Sequence, residues 1–431
     1  MSIMWHNFTE GDSDTPAVKS PLPEKAALIG RVGLMFLASG AGAYRVRAAM
    51  NKVSRGLGVT CNAGIGIKSV EYTCIEGKET YTAALSNKSA GVNTERLNYL
   101  ELFCDGFGER SERYSLDDFQ RMLDTIEKSG NSYKLWHLCL AAGAACASFA
   151  FLLGAGSVEM LCTFFAAALG FMVRKLLLQR HITLFANTAA AVLTSCFVYI
   201  LMVKSFSYLF DYAMDYQAGY ICSMLFVIPG FPLITGGIDL AKLDLRSGLE
   251  RITYAVLVIG VASLTCAFTA ELLHFAPVEF PTYTIPPAMK LVLRFALSFA
   301  GVYGFSIIFN SSLKMASVAG LIGAIANFTR LFLVDIGTAP TIAAFTGALL
   351  AGLLASFFRP FVGFPRITIT VPSIVIMVPG MYMYKGMYFI SAGDFSQGGL
   401  WFCKAIIIVI ALPLGLVFAR ILTDKNFRIS S

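Results

Sequence analysis

Two stretches of this 431-residue chain decide its architecture: VIPGFPLITGG (227–237) and MVPGMYMYKGM (377–387). They match at an offset of 150 residues, Pro229 with Pro379, Gly230 with Gly380 and Gly236 with Gly386. Each lies within an apolar run long enough to cross a bilayer. Pro removes a backbone donor and clashes with the preceding turn, and Gly lets the chain leave helical geometry. Backbone groups freed in hydrocarbon are tolerated only where protein or a water-filled cavity satisfies them. A Pro-Gly break at matching places in two halves therefore points to a binding site near the membrane midplane, with Pro229, Gly230, Pro379 and Gly380 as its backbone.

The composition around these stretches is that of a polytopic membrane protein. Apolar residues make up 56% and charged residues 14%, against about 25% charged in soluble domains. Mean hydropathy is +0.67. A soluble fold cannot hide that much apolar surface. Intrinsic disorder, a coiled coil, a disulfide scaffold and a nucleic-acid binder are excluded as the main reading. The formal charge of +7 is spread along the chain and reads as topology charge. The ten Cys fall singly and the four His form no cluster, so neither a metal site nor a disulfide framework is indicated, and no cofactor is expected.

From Tyr133 onward, apolar runs of about 20 residues, the length of a membrane span, repeat. They predict ten helices: 134–154, 158–178, 183–203, 216–236, 252–273, 288–309, 314–333, 339–358, 368–390 and 400–422. Five fall in each of two membrane units, 133–275 and 286–423. Five is odd, so the second unit enters from the opposite side, an inverted-topology repeat of the kind that builds secondary transporters. Basic clusters (Arg174, Lys175, Arg180; Lys242, Arg246, Arg251; Lys314; Arg359, Arg366; Arg420, Lys425, Arg428) mark alternate ends of these spans. The other ends carry mainly Glu159, Asp211, Asp215, Glu271, Glu279, Asp335 and Asp394. The positive-inside rule puts both termini in the cytoplasm of a protein of the plasma (inner) membrane.

Residues 24–132 are denser in charge and read as a small cytoplasmic α/β domain. The stripe Leu28, Val32, Met35, Phe36, Val46, Met50, Val53 and Leu57 predicts one amphipathic helix, stopped at Gly56 and Gly58. Arg31 argues against a membrane span there. The run 59–85 predicts a hairpin or small sheet turning at EGKE (76–79). Helices follow at about 93–108 and 115–129, the latter opened by a Ser115–Asp118 capping box. Residues 1–23 hold acidic residues and prolines but no apolar signal-peptide core, and read as a disordered lead-in.

The motifs LASGAGAYRVRAAMNKVSRGLG (37–58), PGFPLITGGIDLAKLDLRSGLERI (229–252), GLIGAIANFTRLFL (320–333) and TVPSIVIMVPGMYMYKGM (370–387) together resemble the threonine/serine exporter family. In that family a cytoplasmic domain and a five-helix unit are followed by a second five-helix unit, fused or separate. The resemblance implies export of small hydroxy amino acids driven by the proton gradient, with both membrane units in one chain and no enzyme activity. The expected partners are a small amino-acid substrate, protons and the lipid bilayer, with no nucleic acid. Self-association into a homo-oligomer is left open. A passive channel for the same substrates and a membrane-anchored sensor acting through the N-terminal domain are the alternatives.

Ionisable groups inside spans are functional candidates because burying them is costly. Arg330 and Lys385 offer a fixed cation for a substrate carboxylate, as Arg294 and Lys404 could nearer the interfaces. Asn187 and Asn327 are polar groups at span depth suited to an amino or hydroxyl group. Asp239, just past the first break, and Asp335, five residues after Arg330, are the candidates for proton coupling. GAGAYR (40–45) superficially suggests a dinucleotide loop, but it falls inside a predicted helix rather than after a strand.

Overall fold

The computed structural model describes residues 5–8, 15–87, 91–129, 133–210, 217–275 and 286–428. They form two compact units: Met1–Ser132 with Ile238–Arg251, and Tyr133–Gly237 with Ile252–Ser431.

In the first unit, α1 (Leu22–Ala38) and α2 (Ala43–Gly56) are followed by an antiparallel sheet. Its strands β1 (Thr60–Ile65), β2 (Ser69–Glu76) and β3 (Glu79–Ser86) lie in the order β1-β2-β3. Three helices complete the N-terminal part: α3 (Thr94–Cys104), α4 (Phe107–Ser111) and α5 (Leu116–Lys128). The helix expected over 26–57 is thus two helices. The chain leaves α1 at Ser39, whose hydroxyl folds back onto the Met35 carbonyl (2.8 Å). Gly40 follows at φ 95°, in the left-handed region that glycine adopts at least cost. GAGAYR therefore begins in an interhelical turn, not inside a helix.

Of the expected hairpin or small sheet, the structure has the sheet, a three-stranded meander whose second turn is EGKE, with Gly77 at φ 60°. Val70, Tyr72 and Cys74 of β2 alternate inward and are buried. Arg31 is 1% exposed, yet it is well partnered. Its Nη1 donates to the Gln120 carbonyl (3.1 Å) and to Gln120 Oε1 (2.6 Å), and Nη2 pairs with Asp124 and with Glu127 (3.0 Å). That network is why α1 packs on α5 despite a charge at its centre. The Ser115–Asp118 capping box is present, with both reciprocal bonds near 3.1 Å; such a cap contributes about 1 kcal/mol. The lead-in departs from the disorder expected of it. Trp5–Phe8 form a 3₁₀ turn, and the His6 ring is held by Asp117 (3.0 Å) and Asp124 (2.8 Å). Residues 1–4 and 9–14 lie outside the described residues.

The membrane unit opens with α6 (Leu135–Leu152), α7 (Ser157–Gln179), α8 (Leu184–Phe210) and α9 (Gln217–Cys222). After the first break come α10 (Gly230–Ala241) and α11 (Leu245–Leu272), which carry the chain through its 238–251 excursion into the first unit. The second half comprises α12 (Pro287–Ile308), α13 (Leu313–Asp335), α14 (Pro340–Val362), α15 (Arg366–Val375), α16 (Gly380–Ser391), α17 (Phe395–Thr423) and the short α18 (Lys425–Arg428). Among the described residues, eight helices are long and apolar enough to cross a membrane. The count rises to ten if each of two bent pairs is one span: Ala218–Val227 with Gly230–Ala241, bent by 64°, and Arg366–Val375 with Gly380–Ser391, bent by 46°. Both bends fall at the Pro-Gly pairs singled out from the sequence. Asp211, Asp215 and Glu279 lie outside the described residues.

Features recur between the two halves well beyond the Pro-Gly pairs. Helices α7 and α13 are both 23 residues long, and α10 and α16 both 12. Positive φ angles recur at the matching turns: Gly154 with Asn310, His181 with Gly337, and Leu243 with Gly393. One buried cluster joins Leu233, Ala255 and Ile259 to Met383 and Ala405, with Ile228, Val378 and Val409 packed on it. Most of its members stand 150 residues from another member.

Candidate functional site

The two breaks share one hydrogen-bond pattern. A helical carbonyl is ordinarily met by the N–H four residues on. For Phe226 that residue is Gly230, whose N–H turns instead to the Ile228 carbonyl (2.8 Å), and Pro229 has no N–H to offer. Ile376 stands identically before Pro379 and Gly380, whose N–H goes to Val378 (2.8 Å). Each Pro-Gly pair thus denies a carbonyl its usual helical partner, at 226 and at 376. In the first half Arg174 of α7 takes it, donating Nη1 to the Phe226 carbonyl at 2.8 Å.

The breaks pack against each other reciprocally. A Cβ on Gly230 would lie 3.4 Å from Val375 and Val378; one on Gly380 would lie 2.6 Å from Ile228 and 2.9 Å from Leu225. At Gly380, glycine is what allows this approach. Between the breaks lies a cavity of about 80 Å³. Phe149, Leu152, Leu153, Phe305 and Ile408 form apolar wall, and the second break contributes Val375 through Tyr382. Arg330 is the charged residue among those lining it. Its Nε donates to Asn327 Oδ1 (2.9 Å), and Asn327 Nδ2 donates in turn to Ser298 Oγ of α12 (2.8 Å). This relay orients the guanidinium from behind. Among the described residues no carboxylate lies within 4.0 Å of Arg330, and no acidic side chain lines the cavity. The arrangement can bind a carboxylate in a mostly apolar pocket, where a guanidinium can grip both oxygens.

Gly230, Pro379, Gly380 and Arg330 therefore meet at one cavity, with Pro229 adjoining and Asn327 one bond behind. The other candidates lie elsewhere. Asn187 is buried in α8, its Nδ2 bonded to the Arg174 carbonyl (3.2 Å) and its Oδ1 without a partner. Lys385 and Lys404 both sit 4.8 Å from the centre of the Trp401 ring. Asp335 pairs with Arg294, which places that cation in an ion pair rather than in the cavity. Asp239 belongs to the first unit. It accepts from the Ala43 N–H (3.1 Å) and the Ser247 hydroxyl (2.9 Å), with Arg251 Nε at 3.4 Å. Sequence reasoning read Arg174 only as a topology charge; what singles it out, its place in a helix matched to that of Arg330, needs helix boundaries to be seen.

A chain of membrane-crossing helices with two broken helices facing one cavity is a multi-pass membrane protein built as a transporter. Residues 27–273 match a family model described as "Putative threonine/serine exporter", and residues 294–422 match a second one, described as "Threonine/Serine exporter, ThrE". The chain belongs to the threonine/serine exporter family, in its fused form. It is 28% identical over 225 residues to "Probable succinate transporter subunit YjjP" of Escherichia coli K12, covering 51% of this chain and 83% of the relative. To the protein of the same name from Klebsiella aerogenes it is 27% identical, covering 51% and 82%. To "Probable threonine/serine exporter" of Mycobacterium tuberculosis H37Rv it is 23% identical over 411 residues, covering 91% of this chain and 75% of the relative. No solved structure matches the chain.

Proposed function

We propose that this protein is a proton-coupled secondary exporter of small hydroxy amino acids, threonine and serine, in the inner membrane, with both termini cytoplasmic. The carrying observation is the Arg330 guanidinium in the cavity between the facing breaks, oriented by Asn327 and Ser298 but with no carboxylate partner among the described residues. The substrate carboxylate supplies the missing partner, and the released Ile376 carbonyl receives an ammonium or hydroxyl. The matched turns and reciprocal packing support two five-helix halves of opposite topology, which alternate access by rocking about the cavity.

For proton coupling, Asp239 and Asp335 are the candidates. Each sits beside an arginine, Arg251 and Arg294, that protonation would release. Replacing either with Asn should abolish the response to a pH gradient while leaving counterflow intact.

A second reading, a carboxylate without an ammonium, is favoured by one observation: no acidic side chain lines the cavity among the described residues. The succinate named for the enterobacterial relatives is such a substrate. Counterflow in proteoliposomes with threonine, serine and succinate, with and without a pH gradient, tests both. Threonine or serine exchange sustains the first reading, succinate exchange alone the second, and exchange of none removes both.

A further inference from the structure

We propose that Arg174 is a positioning residue that latches the first break in the state seen here, and that Arg330 latches the second break in the opposite state as access alternates. The inference rests on the reading of the cavity as the substrate site. The two arginines occupy the same position of equally long helices, α7 and α13. Each faces a break that releases one carbonyl, at Phe226 or at Ile376. The halves nevertheless differ in how these parts are joined. Arg174 closes onto the Phe226 carbonyl at 2.8 Å. Arg330 does not take up the Ile376 carbonyl; it turns its Nε to Asn327 and lines the cavity that Ile376 also lines.

The opposite state then has a defined chemistry. Arg330 gives up its substrate and closes onto the Ile376 carbonyl, and Arg174 lets go of Phe226. An amide also stands beside Arg174, contributed by the neighbouring helix α8. Asn187 is 1% exposed, is bonded to the Arg174 carbonyl, and keeps its Oδ1 without a partner. Two halves of like build in unlike states are what alternating access requires, because each halfway structure is the other's mirror in role. A charged donor on a carbonyl shut away from water is strong enough to bias such an equilibrium.

The test uses the full chain in proteoliposomes, with Met381→Cys as reporter in a Cys139→Ser/Cys403→Ser background; the remaining native cysteines are buried. A membrane-impermeant maleimide is applied from each side. Arg174→Gln should keep near-native substrate binding, lose counterflow and shift the ratio of labelling from the two sides by about tenfold, the weight of one charged hydrogen bond. Arg174→Lys, which keeps a donor, should restore part of both. Native labelling and counterflow in Arg174→Gln would overturn the proposal, and so would a binding loss equal to that of Arg330→Gln. Should Arg174→Gln fail to insert, Arg174→Met keeps the apolar stem, removes the donor and is judged by the same outcomes. Native binding in Arg330→Gln would instead remove the substrate-site reading, whatever Arg174 does.

Discussion

At the residue scale, the proposed function turns on how the Arg330 guanidinium is held at the cavity and what it is left to bind. Arg330→Gln removes the charge and should weaken substrate binding by roughly ten- to a hundredfold, the weight of a charge-assisted contact. Arg330→Lys should recover part of it, since the charge stays and the two-pronged geometry goes. Asn327→Ala is subtler. It leaves the charge but frees Nε, so affinity should fall less than in Arg330→Gln, and binding isotherms on the purified variants order the three; equal losses would mean that orientation and charge cannot be separated. Elsewhere, His6 ties the start of the chain to α5. Its hydrogen bonds to Asp124 and then Asp117 raise its pKa above the ordinary 6.5. A raised folded-state pKa stabilises below the unfolded value and is lost as pH rises through the folded value. Protection of the Trp5–Phe8 turn from proteolysis should therefore be full in mildly acidic buffer and decline as pH climbs past 6.5 into the alkaline range. A flat profile from pH 5 to 9, or one shared by His6→Ala, would remove the ion pairs as its cause. Arg330 and Asn327 were both legible in the motif GLIGAIANFTRLFL (320–333), because a cation at span depth is conspicuous. Arg174 was not, because a cation near the end of an apolar run looks the same whether it faces headgroups or a carbonyl.

At the element scale, the decisive feature is a helix interrupted so that it exposes one carbonyl. Proline in a helix interior costs about 3 kcal/mol relative to alanine, so Pro229→Ala or Pro379→Ala should give a locally firmer helix. The new N–H would compete for the Phe226 or Ile376 carbonyl, and counterflow should drop sharply while thermal stability in detergent holds or rises. Both falling together would make the prolines mere packing. The glycines should not behave alike. A Cβ on Gly230 meets Val375 and Val378 at ordinary contact distance, whereas on Gly380 it drives into Ile228 and Leu225, both of which line the cavity. Gly380→Ala should therefore cut transport well below Gly230→Ala, and the reverse order would contradict the packing described. The existence of both breaks followed from the Pro-Gly match alone. Their bends of 64° and 46° did not, since proline dictates that a helix is broken and neighbouring side chains dictate where it goes next. The split between α1 and α2 was missed for a related reason: a hydrophobic stripe continues in register across a glycine turn.

At the scale of the whole molecule, residues 238–251 fold with the N-terminal part although they lie between membrane helices. Asp239 and Arg251 are 1% and 4% exposed, and are satisfied there by Ala43 N–H, the Ala41 carbonyl and Ser247. Removing one member of such a buried pair strands the other, at about 3–5 kcal/mol. Asp239→Ala should thus lower the thermal midpoint of the full chain markedly, and Asp239→Ala/Arg251→Met should recover much of it. If the double variant is no better than the single, the pair is not the unit that matters. The amino-acid sequence by itself determined the membrane class, the matched breaks, the charged N-terminal part and the cation at Arg330, because composition, proline chemistry and the cost of burying charge act locally along the chain. Only the tertiary structure decided that Arg174 takes the Phe226 carbonyl, that Asp335 is held by Arg294 and Asp239 by Arg251, and that Lys385 lies against Trp401 rather than in the cavity. Those outcomes depend on which distant side chains arrive at the same point, and a polar group in a dry interior takes whichever partner packing delivers.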